Sequence, residues 1–175
     1  MKILVCIKHV ISLESELKIN DSEDWIKPSG STRFEMNKFD TYAVEEALLI
    51  AERIPGSRID VITVGPDNAQ ETLQRALGMG ADEGIHIADN NPGWRAPVRT
   101  AAWIAEYAKQ RAYDLVLTGI MSEDEMNGQT GPMIAQMLSL PCCTAVIKLS
   151  VSKDKKILFA EREIEGGARN MFDIR

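Results

Sequence analysis

The feature that most constrains this chain is a recurrence of short, β-rich apolar runs separated by stretches of helical period. Ile3 to Ile7, Ile59 to Val64, Gly84 to Ala88 and Asp114 to Gly119 are the four runs, each nearly continuous in apolar character. Parallel strands covered on both faces read this way, because neither face meets water. Between the runs the period changes to that of a helix. Ala43, Val44, Ala47, Leu48 and Ala51 share a face, with Glu45, Glu46, Glu52 and Arg53 outside it, and Pro55-Gly56 stops the helix. Asn68 is placed to cap a second helix with Leu73, Ala76 and Leu77 inward, ended by Gly78 and Gly80. Pro97 to Ala108 supplies a third, and Pro132 to Leu140, with Ile134, Met137 and Leu138 inward, a fourth that closes at Pro141. Strands alternating with helices imply βαβ units. The predicted class is therefore α/β, an open, mainly parallel twisted sheet with helices on both faces.

Three segments stand outside this alternation. Thr144 to Val151, the turn Ser152 to Lys156, and Ile157 to Ile164 predict a C-terminal antiparallel hairpin added to the parallel sheet. Leu17 to Glu35 is polar, carries Pro28-Ser29-Gly30 and has no helical period, which predicts a loop or irregular excursion. Ala168 to Arg175 reads as a further strand. A length of 175 residues suits one α/β domain, residues 1–175.

Charge and composition exclude some partners. A net charge of -6 argues against a nucleic acid, whose binding relies on Lys and Arg displacing counterions. No apolar stretch approaches the ~18 residues of a membrane span, so direct membrane insertion is not expected. The three cysteines, Cys6, Cys142 and Cys143, form neither a disulfide framework nor a metal-ligand spacing. A cytoplasmic location follows as the simplest expectation.

In an open parallel sheet, ligands bind beyond the carboxyl ends of the strands. The first run ends there at Cys6 to His9, the second at Val64-Gly65-Pro66, and the fourth enters the loop Gly119 to Pro132. That loop is rich in Gly, Asn, Ser and Thr and opens a helix, so its free N–H groups and the helix dipole suit a phosphate. The same residues also read as an ordinary N-cap and turn. No Gly-Lys-Ser/Thr follows the glycines, and Gly78-Met79-Gly80 lacks the third glycine of a dinucleotide fingerprint. Glu123-Asp124-Glu125 suits capping N–H groups or accepting ribose hydroxyls better than catalysis. His9 and His86 have no ligand partners at metal spacing. Cys6 reads as a small buried hydrophobe, and Met121, Met126, Met133 and Met137 as core filling in preference to a partner surface.

Taken together, four segments resemble the β subunit of electron transfer flavoproteins. They are Lys2-Ile3-Leu4-Val5-Cys6-Ile7-Lys8; Met36-Asn37-Lys38-Phe39-Asp40 with Ala43-Val44-Glu45-Glu46-Ala47; Val64-Gly65-Pro66 through Gln70-Glu71-Thr72-Leu73 to Ala76-Leu77-Gly78-Met79-Gly80-Ala81-Asp82; and Asp114 to Gly119 running on to Gln129-Thr130-Gly131. Glu161-Arg162-Glu163-Ile164-Glu165-Gly166-Gly167 is similar to the start of the family's signature. The resemblance implies a fold of the adenine-nucleotide α-hydrolase type and no catalytic residues of its own. It also implies a heterodimer with an α subunit that holds most of the redox FAD, serving electron-donating dehydrogenases. Ordinary members bury a structural AMP, and electron-bifurcating members hold a second FAD in the same pocket.

Carried over position by position, the resemblance assigns nucleotide contacts to Cys6, Asn37, Lys38, Phe39, Asp40 and Val64. In the loop it assigns them to Gly119, Ser122, Asp124, Glu125, Asn127, Gly128, Gln129 and Thr130. There are departures. The family's Asn-Pro-Phe reads Asn37-Lys38-Phe39, and its Asn-Gln-Thr-Gly reads Gly128-Gln129-Thr130-Gly131 with Asn127 one place early. The family's C-terminal recognition loop and α-embracing arm are not found in these residues. Gln129-Thr130-Gly131-Pro132 is a hybrid of the AMP-binding and bifurcating patterns. The Thr130 hydroxyl can donate to a terminal phosphate, which AMP presents and a flavin dinucleotide does not, so AMP is the expected occupant. The rival of another class is a stand-alone universal-stress-type regulator, whose Gly-x-x-Gly after the fourth strand is broken here at Ser122.

Overall fold

The computed structural model describes every residue from 1 to 175 except Asp24, Pro92 and Arg175. The first half runs β1 (Lys2–Cys6), β2 (His9–Ile11), β3 (Phe34–Met36), α1 (Lys38–Arg53), β4 (Arg58–Gly65), α2 (Gln70–Met79) and β5 (Glu83–Ala88). The second runs α3 (Pro97–Lys109), β6 (Leu115–Thr118), α4 (Thr130–Leu138), β7 (Val146–Val151), β8 (Leu158–Glu163) and β9 (Arg169–Ile174). Four strands form a parallel sheet in the order β5-β4-β1-β6. Ile3 sits opposite Ile59 and Leu115, and Cys6 opposite Ile62 and Thr118.

Both faces of this sheet are covered, as the unbroken apolar runs require. Alternate residues of β1 enter different cores. Ile3, Val5 and Ile7 pack with Val44, Ala47 and Ile50 of α1 and Leu73 and Ala76 of α2. Leu4 and Cys6 pack with Ala101, Ile104 and Ala108 of α3 and Ile134 of α4. The helix α2 is capped by Gly80, whose φ of +126° would strain any other residue and whose Cβ would stand 3.0 Å from a Leu48 methyl.

The chain order fixes where a ligand can enter. From β1 through β4 to β5 successive strands are laid down on one side, and α3 then carries the chain back to β6 on the other side of β1. The carboxyl ends of β1 and β6 therefore flank the point where direction reverses, and connecting loops diverge to leave a crevice there.

Several expectations need correction. The C-terminal hairpin does not extend the parallel sheet. With β9 it makes a separate three-stranded antiparallel sheet, ordered β7-β8-β9, whose Leu149 and Ala160 join the core on the α1 side. Asn68 lies inside a 3-10 turn, Asp67–Ala69, and gives α2 no side-chain cap. The last helix starts at Thr130, two residues before Pro132, and ends at Leu138 on a left-handed Ser139. Leu77, Met137 and Met126 are exposed, Met126 at 68%, so core filling does not describe these methionines. The excursion after Leu17 ends earlier than Glu35, because Phe34–Met36 pairs with His9–Ile11; Asp24 within it lies outside the described residues, as does Arg175.

Candidate functional site

A cavity of about 110 Å³ occupies the crevice. Cys6, Ile7 and Lys8 enter it from the end of β1, Val64 from β4, and Thr118 and Gly119 from β6. The helix α3 roofs it with Thr100 and Ile104. A second, more open hollow of about 530 Å³ adjoins it, lined by Trp94, Val98 and Met133 and sharing Pro97, Glu125, Asn127 and Gln129 with the first.

The wall is built by tying the start of α1 to the loop that follows β6. Asn37, 1% exposed, donates from Nδ2 to the Met121 carbonyl (2.9 Å) and accepts the Glu123 N–H at Oδ1 (3.1 Å). Its own backbone N–H reaches the Lys8 carbonyl at 2.9 Å. Asp40 accepts the Lys8 N–H at 2.7 Å and, on its other oxygen, the Gly119 N–H at 3.0 Å. A Cβ on Gly119 would collide with the Asp40 carboxylate and stand 2.9 Å from the Phe39 backbone, so only glycine lets β6 end this close to α1. Burial pushes the Asp40 carboxyl up to about 7 against the opposing pull of these N–H donors. Burial, with the neighbouring charge of Asp40, pushes the Cys6 thiol up as well, which leaves it a neutral, unreactive group.

The acidic run serves the loop. The Lys8 ammonium meets Asp124 at 2.8 Å, Glu125 at 3.2 Å and the Ser122 hydroxyl at 3.2 Å. Glu123 accepts the Lys38 N–H at 3.3 Å. Glu125 takes an amide proton of Asn127 at 3.0 Å, and Asn127 accepts the Gln129 N–H at 3.3 Å. Left-handed residues at Met126 (φ 53°) and Gly128 (φ 61°) turn the loop back on itself, and α4 begins.

At that start the N–H groups of Thr130 and Gly131 have no protein acceptor among the described residues. Pro132 has no N–H to offer, and Met133 returns its own to the Gln129 carbonyl at 3.1 Å. The first turn holds no acidic residue and no side-chain cap. Two unpaired N–H donors, a hydroxyl and a helix dipole form a donor set suited to phosphate oxygens.

Of the predicted contacts, Cys6, Asn37, Asp40, Val64 and Gly119 share the cavity lining with Ser122, Glu125, Asn127, Gly128, Gln129 and Thr130. Lys38, Phe39 and Asp124 lie outside that lining. They act on its frame, through the Lys38 N–H, the backing of Gly119 by Phe39, and the pairing of Asp124 with Lys8. Lys8 and Arg95, both on the lining, are not among the predicted contacts. Arg95 lies in the loop after β5, and the rule that ligands sit beyond strand ends reaches it when applied to all four strands. His86 bonds to the Gly65 carbonyl at 3.0 Å, and His9 bonds to Thr72 at 2.7 Å while stacking on Phe34. Neither faces the cavity.

Fold and site define a doubly wound α/β protein with an anion-suited cleft at its switch point. Residues 30–171 match the family described as the electron transfer flavoprotein domain. The subunit beta of electron transfer flavoprotein from Mus musculus is 33% identical, with 98% of this chain and 67% of its own length covered. That of Dictyostelium discoideum is 30% identical over 98% of this chain and 66% of its own length, and a mitochondrial one from Arabidopsis thaliana is also 30% identical. The chain belongs to the electron transfer flavoprotein family, among its beta subunits. It spans about two thirds of the length of these relatives. Among the described residues no helix is long and apolar enough to cross a membrane.

Proposed function

We propose that residues 1–175 form the nucleotide-binding domain of a non-catalytic electron-carrier subunit, which holds a structural AMP and pairs with an alpha subunit. The observation that carries this reading is the pair of N–H groups at Thr130 and Gly131, without a partner among the described residues, opening α4 onto a cleft at the switch point of the sheet. Thr130, Gly131 and the Thr130 hydroxyl would hold the phosphate. Cys6, Val64 and Ile104 offer an apolar bed for the base. Asn37 spends its side-chain polar atoms on the loop and Asp40 its oxygens on the ends of β1 and β6, so their part is to fix the shape of the cleft.

FAD, held by the alpha subunit, supplies the redox chemistry when bound. This chain's share is to stiffen the loops that face it, so that electrons taken from dehydrogenases arrive at a flavin held in one position. Its three free thiols fit a reducing compartment such as the cytoplasm. A second reading, a second FAD in place of AMP, is favoured by one observation: the hollow of about 530 Å³ beside the loop offers space beyond the cleft. Co-expression with the alpha subunit, acid release of the bound ligand and mass spectrometry with a flavin count distinguish the two. AMP with one flavin per heterodimer supports the first reading. Two flavins without AMP overturn it.

A further inference from the structure

The cleft has two basic side chains on its lining, and their electrostatic situations differ. Lys8 is neutralised twice over, by Asp124 at 2.8 Å and Glu125 at 3.2 Å. Its charge is committed to the loop. Arg95 has one carboxylate partner, Asp89, which takes its Nε–H at 2.6 Å and also, through the backbone carbonyl, an Nη2–H at 3.2 Å. Asp89 is itself fixed, since its N–H reaches the Gly65 carbonyl at 2.9 Å and its carboxylate accepts the Asn91 N–H at 3.1 Å.

The guanidinium is therefore held in place on the cavity lining, 15% exposed, and its Nη1 has no acceptor among the described residues. A planar cation held on one edge and open on the other suits an oxygen of a phosphate. A phosphate also needs this charge. Glu125 and Asp40 line the same cavity, and without it two backbone N–H groups and one hydroxyl, all uncharged, would have to hold a dianion beside them.

Resting on the nucleotide reading above, we propose that Arg95 is the cationic half of the phosphate site and the residue that separates a nucleoside monophosphate from its nucleoside. Asp89 is its positioning partner. The β5–α3 loop then takes part in the site together with the loop after β6, and the phosphate joins the two sides of the crevice.

Calorimetric titration of the full chain with AMP and with adenosine tests this on wild type, R95Q and R95K. Loss of one charge-assisted contact predicts that R95Q weakens AMP binding about tenfold or more and leaves adenosine binding unchanged. R95K, which keeps the charge but not the fork, falls between. AMP binding by R95Q equal to wild type would overturn the inference, as would an equal loss for AMP and adenosine, the mark of a merely structural role. Wild type that binds neither compound at millimolar concentration would instead overturn the nucleotide reading itself, and the inference with it.

Discussion

At Asp40 a buried carboxylate accepts the N–H groups of Lys8 and Gly119, and its pKa near 7 reflects burial winning over those bonds. The folded state then binds the Asp40 proton more tightly than the unfolded state, where the group titrates at about 3.9. Between these values the native chain carries more protons, so this group lowers stability as pH rises from about 4 to about 7. Denaturant melts across that range should show a downward contribution in wild type that D40N lacks; equal slopes in the two proteins would contradict it. Gly119 depends on the same contact. G119A drives a methyl into the Asp40 carboxylate and the Phe39 backbone, with an expected loss of about 1–3 kcal/mol or more. G131A meets the Thr118 side chain first, closest at its hydroxyl at 2.7 Å, with no backbone atom among the three nearest. Urea titration should therefore rank G119A below G131A, and the reverse order would count against the packing argument.

Elements are joined across long sequence distance by Asn37, which ties the start of α1 to the loop after β6. N37A would strand the Met121 carbonyl and the Glu123 N–H, costing about 2–4 kcal/mol. Hydrogen exchange should speed up across residues 119–129 and stay slow in β1 and β4; unchanged loop exchange would refute the tie. The same scale divides what the sequence revealed from what it hid. The parallel strands and helices were legible because burial on both faces writes an apolar run and a helical stripe directly into the residues. The early start of α4 was not, since Thr130 and Gly131 are poor helix signals and Pro132 tolerates the first turn from more than one position. Pairing of β9 with β8 was hidden too, because β9 is exposed along most of its length and shows little period-two burial. In the site, the glycine-rich loop was legible. The ion pair of Lys8 was not, because it joins the end of β1 to a loop more than a hundred residues away, and that of Arg95 with Asp89 was not, because both lie in one irregular loop whose turns show no periodic pattern.

For the whole molecule, the decisive fact is that one crevice gathers β1, β4, β6, α1, α3 and the start of α4, while the opposite end of the sheet is closed by structural contacts. There buried Asp60 accepts the Tyr113 hydroxyl at 2.7 Å and the Arg58 Nε–H at 2.9 Å. The Asp60 carboxylate is satisfied at that end, and at the other the N–H groups of Thr130 and Gly131 have no acceptor among the described residues. The proposed nucleotide would seat its phosphate on the start of α4. Amide NMR of the isotopically labelled chain, titrated with AMP and separately with adenosine, reads this seating at the donors themselves. Large shifts of the Thr130 and Gly131 amide resonances are expected with AMP and much smaller ones with adenosine. No shift at these two amides, or shifts of equal size with both compounds, would contradict it.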